Sequence, residues 1–273
     1  MANSDNPQQL VSLTHEATFG LGELHIFQPP GSFSLTPASR IAVQAIGQHQ
    51  QLLAGTGLDW GSGTGCLAIA AAKVPDVKHV IGLELTSANV QAAQHNAQLN
   101  GVADRVTCLQ SDSYTPQSKA DRAALNAQLG QIDFILANPP SSEGDDGFGF
   151  RREVLRGGRP FLKPDGLVLL NISYQYGAQR IAALCQQIAG FSHEGVLAST
   201  GWVPFDLQRA DLRQCLHDYA AEEQRGGFLY EFAHPQNPAT VLNAQAALAH
   251  FQQTGQSPLS QWQTHLFKFM GKG

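Results

Sequence analysis

Two patterns of apolar positions alternate along most of the chain. Short runs of consecutive aliphatic residues are typical of strands buried on both faces of a sheet, whereas apolar residues that recur every three or four positions are typical of helices. The first pattern predicts strands over 56–60, 79–85, 105–110, 131–137 and 166–171. The second predicts helices over 64–74, 87–100, 150–162 and 176–189. Strands separated by helices indicate a doubly wound, mostly parallel α/β sheet.

The two ends of the chain depart from this alternation. Residues 18–28 alternate around glycines, which predicts a short strand pair, and Thr36 before Pro37 predicts a capped helix over 37–49. Beyond residue 204 the pattern predicts helices over 206–224 and 239–253 and strands over 228–232 and 265–270.

These patterns divide the chain into four parts. We expect an N-terminal strand pair and cap helix at 1–49, a ligand-binding core at 50–204, a helical insertion or small lobe at 205–262, and a final strand of the core sheet at 263–273. A chain of 273 residues suits one large domain with such appendages.

The composition argues against several classes of protein. No run of about 18 apolar residues is present, so no membrane span is expected, and residues 1–6 lack the basic and apolar blocks of a secretory signal. The four cysteines lie far apart, which predicts no metal site and favours a reducing cytoplasm. The net charge of −5 weighs against non-specific binding to nucleic acid.

One local cluster of basic residues runs against the acidic balance of the chain. A solvated helix face is the favoured interpretation, and contact with an acidic partner is the alternative. The cluster comprises Arg151, Arg152, Arg156, Arg159 and Lys163.

The segment after the first core strand has the composition of a ligand-binding loop. Asp59 ends the strand, and Gly61, Gly63 and Gly65 follow at alternate positions before a helix-forming run. Glycines with this spacing allow turns that a side chain forbids and let the backbone approach a ligand closely. The loop therefore predicts a nucleotide-like ligand, and its spacing disfavours the G-x-G-x-x-G dinucleotide site.

An acid stands at or just beyond the carboxyl end of each of the next two strands. Glu84 lies roughly 20 residues beyond the first glycine, a distance that fits a carboxylate bonded to both hydroxyls of a ribose. Asp112 can accept a hydrogen bond from an adenine amino group. Taken singly, Glu84 can also be an acid at a helix start, and Asp112 a common loop residue.

The tripeptide Asn138-Pro139-Pro140 follows the fourth strand of the core. Taken alone, it can be a stiff turn. As part of a site, the Asn138 side chain and the Pro139 carbonyl offer two acceptors that can bind both N–H groups of an amino nitrogen. The prolines restrict the backbone and so preorganise these acceptors.

In combination, these residues resemble a known family. The order Asp59-x-Gly61-x-Gly63-x-Gly65, Glu84, Asp112 and Asn138-Pro139-Pro140 is similar to that of class I S-adenosylmethionine-dependent methyltransferases. More narrowly, it resembles the small-domain group that modifies planar amino nitrogens, which includes release-factor glutamine, ribosomal-RNA guanine-N2 and tRNA adenine-N6 methyltransferases. Residues 92–101 resemble a helix sequence usual in this group, and residues 27–41 resemble the loop that covers its active site.

The resemblance implies a Rossmann-like sheet of seven strands whose core at 50–204 binds S-adenosyl-L-methionine. It implies that Asn138, Pro139 and Pro140 are catalytic. The residues that it implies for the cofactor are Asp59, Gly61, Ser62, Gly63, Gly65, Glu84, Leu85, Asp112, Ser113 and Asn138.

One position departs from the pattern of the group. Tyr, Phe or Trp usually follows N-P-P and stacks on the planar target, but here the residue is Ser141. Phe148 or Phe150 can supply the aromatic face; both can equally be core residues, and for Phe150 the core is favoured. We expect Thr36, Ser141 and Phe148 to lie at the substrate.

These observations predict a cytoplasmic methyltransferase that modifies a planar amino nitrogen of a protein amide, of the Gln type, or of a small molecule. An amino group of RNA or DNA is the alternative, and it would require the basic cluster and a flipped-out base. From other classes, the alternatives are a non-catalytic partner subunit with this fold and a nicotinamide-dependent oxidoreductase. The sequence leaves the methyl acceptor and the oligomeric state open.

Overall fold

A computed structural model describes residues 9–30, 35–142 and 146–271. The helices are α1 (Pro37–Gln48), α2 (Cys66–Ala72), α3 (Ser87–Leu99), α4 (Lys119–Asn126), α5 (Gly149–Gly158), α6 (Gly177–Gln187), α7 (Ala210–Gln224) and α8 (Ala244–Thr254). The strands are β1 (Gln9–Leu13), β2 (Leu24–Gln28), β3 (Gly55–Trp60), β4 (Val77–Glu84), β5 (Val106–Asp112), β6 (Thr115–Pro116), β7 (Ile132–Ala137), β8 (Leu162–Asn171), β9 (Phe191–Ser199), β10 (Val203–Pro204), β11 (Phe232–His234), β12 (Asn237–Leu242), β13 (Leu259–Ser260) and β14 (Gln263–Phe269). Within these residues, no helix combines the length and apolar character needed to cross a membrane.

The central sheet has the order β6-β5-β4-β3-β7-β8-β14-β9. Its five inner strands from β5 to β8 are parallel, and β14 runs antiparallel between β8 and β9. This arrangement confirms the predicted α/β fold with a mostly parallel sheet. The described sheet has eight strands rather than seven, because Thr115 and Pro116 form a short strand beside the end of β5.

Helices cover both faces of this sheet and bury an apolar cluster on each. Residues of α1, α2 and α3 form one cluster with β2, and residues of α5, α6 and the C-terminal elements form the other. The predicted helices of the core are all present, with ends that differ by a few residues. For example, α3 follows the N-cap Thr86 and ends before Gly101, whose φ of 67° suits a helix terminus.

The sequence pattern missed the short strands β6 and β10 and two longer elements of the core, α4 and β9. Only Leu125 is buried in α4, so this helix lacks the apolar stripe that periodicity detects. Strand β9 lies at the edge of the sheet and alternates poorly, since most of its residues are exposed or half-buried. Both longer elements depend on tertiary contacts more than on a local signal.

The N-terminal strand pair is present, but its first strand was predicted in the wrong place. Strand β2 pairs antiparallel with β1 at Gln9–Leu13, and residues 14–21 form turns instead of a strand. The hydroxyl of Thr18 donates to the carbonyl oxygens of His15 and Gly22, which holds these turns together. The predicted helix with Thr36 as its cap is confirmed as α1.

The segment after residue 204 contains strands as well as helices. Strands β10, β13, β11 and β12 form a separate four-stranded sheet accompanied by α7 and α8. The helix expected over 239–253 starts only at Ala244, because residues 237–242 form β12, and the strand expected over 228–232 is β11 at 232–234. The final antiparallel strand, β14, is present as predicted.

Candidate active site

The carboxyl edge of the parallel strands brings the predicted ligand residues together. Asp59 is the next-to-last residue of β3, and Glu84 is the last residue of the neighbouring strand β4. Asp112 ends β5, and Asn138 follows β7 on the other side of β3. Open α/β sheets bind their ligands at this edge. The four features therefore lie along one continuous face of the molecule.

The glycine loop has the backbone that its sequence predicts. Gly61, Gly63 and Gly65 have φ values of 65°, 54° and 86°, a region that residues with a side chain rarely adopt. A Cβ atom at Gly61 or Gly63 would meet nothing within 4 Å, whereas one at Gly65 would lie 3.0 Å from Ala93 Cβ. The first two glycines thus leave open space for a ligand, and the third allows α3 to pack against the loop.

Asp59 supports this loop from beneath. Its side chain is buried, and its Oδ2 accepts a hydrogen bond of 2.9 Å from the backbone N–H of Ala68 in α2. Burial raises the pKa of Asp59 to about 8; the Ala68 hydrogen bond lowers it, and the charge of Glu84 raises it further. The structure therefore places Asp59 as a brace between β3 and α2 rather than on the open side of the loop.

Glu84 joins the glycine loop to the start of α3. Its Oε2 accepts from Gly63 N at 3.0 Å, and its Oε1 accepts from Thr86 N at 2.9 Å and from Asn89 Nδ2 at 3.2 Å. A carboxylate oxygen can accept more than one hydrogen bond, so Oε2 keeps capacity for a ligand hydroxyl. The contacts with Thr86 and Asn89 confirm the role of Glu84 at the start of α3, and its role toward a ligand stays a prediction.

The side chains of Ser62, within the glycine loop, and Leu85, next to Glu84, point in different directions. A Cβ atom at Gly82 would lie 2.8 Å from Ser62 Oγ, so the Ser62 hydroxyl points into the sheet and only its backbone belongs to the open loop. Leu85 is 57% exposed beside Glu84, where its side chain can cover a flat ligand group. Of these two predicted cofactor residues, Leu85 has the accessible side chain.

Asp112 and Ser113 lie at the mouth of a cleft of about 500 Å³ between the end of β5 and α5. The Asp112 side chain is exposed, whereas the Ser113 hydroxyl accepts a hydrogen bond of 2.9 Å from Trp60 Nε1. Ser113 also has a positive φ of 52°, which turns the chain at this point. Asp112 is therefore the accessible polar group, and Ser113 shapes the turn that presents it.

The Asn138 amide is held at both of its ends. Its Nδ2 donates to Ser39 Oγ at 3.3 Å, and its Oδ1 accepts from Asn171 Nδ2 at 2.9 Å. Ser39 lies in the first turn of α1 and Asn171 ends β8, so three separate elements meet at this side chain. The sequence pattern indicates Asn138 but neither of its partners, Ser39 and Asn171.

Arg151 braces the N-P-P segment from inside the protein. Its guanidinium donates to the carbonyl oxygens of Pro139 at 3.4 Å, Pro140 at 3.3 Å and Gly147 at 3.0 Å, and its Nε donates to the carbonyl of Asn171 at 3.2 Å. The side chain is 4% exposed. The interpretation of Arg151 as part of a solvated helix face is therefore wrong.

A family model described as the methyltransferase small domain matches residues 23–194 of this chain. The chain belongs to the methyltransferase small domain family. The matched residues include the glycine loop, Glu84, Asp112, Asn138 and Asn171, so the family and the site geometry coincide.

Among curated relatives of this family, a release factor glutamine methyltransferase of Cereibacter sphaeroides is 29% identical over 164 residues, which are 52% of this chain and 54% of the relative. A ribosomal protein L11 methyltransferase of Actinobacillus succinogenes is 40% identical over 77 residues, which are 28% of this chain and 26% of the relative. The match to the first covers about half of the length of either protein.

The fold of this methyltransferase small domain protein also resembles solved structures. The crystal structure of a methyltransferase from Pyrococcus furiosus superposes with a TM-score of 0.53 and 17% identity, covering 94% of this chain and 93% of that one. At this identity the likeness supports the fold alone.

The departure from the usual family sequence after N-P-P has a structural counterpart. Ser141 Oγ makes a short hydrogen bond with the hydroxyl of Tyr176, and the ring of Tyr176 packs edge-on against Phe148. Phe148 is fully buried, so the structure contradicts the expectation that it faces the substrate. Phe150, for which the core was favoured, is instead 36% exposed and contacts the ring of Trp60.

The remaining predicted substrate residue, Thr36, caps α1. Its Oγ1 accepts from Ser39 N at 3.2 Å and lies 3.2 Å from Ser39 Oγ. Since Ser39 holds Asn138, the cap orders the helix turn that reaches the N-P-P segment. The place of Thr36 at the substrate itself stays a prediction.

Proposed function

We propose that this chain is an S-adenosylmethionine-dependent methyltransferase that acts on a planar amino nitrogen, of a protein amide or a small molecule. The observation that carries the proposal is the Asn138 amide, held between Ser39 and Asn171 beside an open glycine loop. A scaffold protein has no need of a loop left open to a ligand next to an amide fixed in one orientation.

The residues at the strand ends fit the parts of S-adenosylmethionine. The open backbone at Gly61 and Gly63 suits close approach by a ligand, and Glu84 Oε2 suits a ribose hydroxyl. The exposed Asp112 carboxylate and the adjacent cleft suit the adenine, with Leu85 covering its face. An acid at position 84 also favours a free ribose over a phosphorylated one.

When bound, this cofactor supplies a methyl group on a sulfonium, which transfers by in-line displacement. The acceptor nitrogen must therefore direct its lone pair along one axis while its N–H groups stay bonded. Asn138 Oδ1 can accept one N–H, and the Pro139 carbonyl can accept the other through its second lone pair, since Arg151 occupies the first. The nitrogen loses its proton after transfer, so no strong base is required.

The nature of the acceptor is proposed from the relatives and from the surface. Two relatives carry names that specify protein acceptors, a release factor glutamine and ribosomal protein L11. The net charge of −5 also favours a protein or a small molecule over RNA. The aromatic residue that usually follows N-P-P is absent, but Tyr174 and Trp202 lie at the same edge of the sheet and can supply an aromatic surface for a planar acceptor. Their rings lie edge to face at 4.9 Å, and Trp202 is 37% exposed.

Binding measurements test the cofactor. We expect S-adenosylhomocysteine to bind at least about tenfold more tightly than NAD, the equivalent of roughly 1.4 kcal/mol. The reason is that the loop spacing and Glu84 fit an adenosyl group with a free ribose. Isothermal titration of both ligands decides the matter, and tighter binding of NAD would favour the oxidoreductase alternative.

A second measurement tests Glu84. Glu84→Ala is expected to weaken binding of S-adenosylhomocysteine by about 1–3 kcal/mol, because it removes hydrogen bonds to a carboxylate in a nearly buried site. Glu16 is an exposed acid in the turns before β2. Glu16→Ala is therefore the control and should bind S-adenosylhomocysteine like the unmodified protein. Equal affinities in two folded variants would leave Glu84 with only its role at the start of α3.

The acceptor is tested by methyl incorporation. Tritium-labelled S-adenosylmethionine and the enzyme are added to separate protein, RNA and small-molecule fractions from cells that lack it. Label in the protein or small-molecule fraction supports the proposal. Label confined to RNA would establish the nucleic-acid alternative, and absence of label from all three, despite cofactor binding, would favour the non-catalytic alternative.

A further inference from the structure

Both amide hydrogens and the amide oxygen of Asn171 have hydrogen-bond partners although the residue is only 5% exposed. Its Nδ2 donates to the Ala38 carbonyl at 2.7 Å and to Asn138 Oδ1 at 2.9 Å. Its Oδ1 accepts from the hydroxyl of Thr264 at 2.6 Å. One buried amide thus links α1, β14 and the N-P-P segment.

These partners determine which way each amide faces. The Ala38 carbonyl can only accept, so the Asn171 amide must turn its Nδ2 toward it, and the Oδ1 then faces Thr264. The second N–H of that Nδ2 points at Asn138, which must answer with its Oδ1. The orientation of the Asn138 amide therefore follows from an obligate acceptor in α1.

The sheet fixes the donor at the far end of this chain of hydrogen bonds. Thr264 is 1% exposed, and its backbone lies directly opposite Asn171 in the antiparallel pairing of β14 with β8. The hydroxyl thus reaches Asn171 Oδ1 from a neighbouring strand. Thr264 lies outside the residues matched by the family model.

We propose that Asn171 is a positioning residue that sets the orientation of the Asn138 amide, and that the Ala38 carbonyl and the Thr264 hydroxyl together hold Asn171 in that orientation. The inference rests on the proposed function, in which Asn138 Oδ1 accepts an N–H of the methyl acceptor. A reversed Asn138 amide has almost the same shape, but it directs its own N–H at the N–H of the methyl acceptor. Both groups are then donors, so the acceptor nitrogen is repelled rather than held.

The decisive variant is Asn171→Asp, which keeps the shape and removes the donor. An ionised carboxylate faces two oxygen acceptors at once, so we expect turnover at pH 8 to fall by roughly tenfold or more, as for other residues that orient a functional group. Affinity for S-adenosylhomocysteine should change less than about twofold, because no cofactor group touches this side chain in the proposed function. Turnover is measured as label transferred from S-adenosylmethionine to the fraction that accepts it.

The pH profile separates positioning from a general structural role. Burial raises the pKa of a carboxyl group, and the protonated carboxyl has an O–H that can replace one of the lost N–H donors. The turnover of Asn171→Asp relative to the unmodified enzyme should therefore rise as the pH falls from 8 to 6. A ratio that stays constant across this range, or turnover equal to that of the unmodified enzyme at pH 8, overturns the inference.

Thr264→Val provides a second variant, because Asn171→Asp can fail to fold. Removal of the hydroxyl leaves Asn171 Oδ1 without its donor, so turnover should fall while the affinity for S-adenosylhomocysteine holds, and Thr264→Ser should restore it. Thr107→Val, at an exposed position of β5, is the matched control. Equal turnover in the Val and Ser variants of Thr264, or an equal loss of turnover and affinity, contradicts the inference.

The hydrogen-bond network itself can also be tested without any reaction. In the unmodified protein, the Asn138 and Asn171 side-chain N–H signals should exchange slowly with solvent in NMR spectra, and Thr264→Val should accelerate both. Slow exchange together with full activity of Asn138→Ala would refute the catalytic use of Asn138 while keeping the network. Rapid exchange of the Asn171 signals in the unmodified protein would refute the network itself.

Discussion

Asn138→Ala is expected to reduce methyl transfer by about 10²–10³-fold, the typical cost of losing one preorganised partner of a transition state. In the proposed function, the Asn138 side-chain oxygen accepts a hydrogen bond from the nitrogen that is methylated. Ser39 and Asn171 hold the Asn138 amide but offer no side-chain oxygen that could take its place. The affinity for S-adenosylhomocysteine should stay nearly unchanged, because the cofactor contacts lie on the glycine loop, Glu84 and Asp112. Turnover, affinity and melting temperature of the same variant measure all three consequences.

Asn126→Ala, at an exposed residue that ends α4, provides the control for loss of an amide. If Asn138 were only a turn residue, its replacement would lower the melting temperature slightly and leave the activity of each folded molecule unaltered. Turnover within a few-fold of the unmodified enzyme would therefore remove Asn138 from the active site. Nitrogen would then no longer be supported as the methyl acceptor by the N-P-P segment.

The core of the fold could be predicted because its signals are local. Runs of aliphatic residues mark β4, β7 and β8, since strands buried on both faces need apolar residues at most positions. The small lobe after residue 204 could not be predicted in the same way. Its strands are two to six residues long, and Asn237–Leu242 has an exposed or half-buried pattern that specifies neither a helix nor a strand.

The candidate site shows the same division between local and distant signals. The positive φ angles at the glycines and the place of Glu84 at a strand end are encoded in consecutive residues, and both follow from the sequence. The partners of Asn138 come from α1 and from β8, 99 and 33 residues away along the chain, so no local pattern connects them. Such contacts become visible only when the sheet brings the strand ends together.

Two aromatic side chains near the N-P-P segment were predicted in the wrong environments. Phe148 and Phe150 are two positions apart at the start of α5, and nothing in the sequence distinguishes which one faces the core. In the structure the helix rotation turns Phe148 against Tyr176 and leaves Phe150 beside Trp60. The replacement of the usual aromatic by Ser141 is matched by a Tyr176 hydroxyl, a contact between positions 35 residues apart.

Arg151 carries the other large expected effect, on stability as well as on activity. Four carbonyl oxygens accept from its guanidinium, which also lies over the rings of Phe148, at 5.4 Å, and Tyr176, at 5.0 Å. Hydrogen bonds to a charged group are worth about 1.5–3 kcal/mol each and are not additive. We expect Arg151→Met to lower the free energy of unfolding by roughly 3 kcal/mol, equivalent to about 6–12 °C in melting temperature for a chain of this size.

The same substitution is expected to reduce turnover more than cofactor affinity, because two of the four carbonyls belong to Pro139 and Pro140, beside Asn138. Arg151→Lys keeps the charge but loses the fork that reaches several oxygens at once, so its stability and turnover should lie between those of Arg151→Met and the unmodified protein. Arg122→Met, on the exposed side of α4, controls for the loss of a surface cation. Thermal unfolding of the four proteins decides the role of Arg151, since a solvated helix face predicts equal melting temperatures for Arg151→Met and Arg122→Met, whereas an internal brace of the N-P-P segment predicts a large difference.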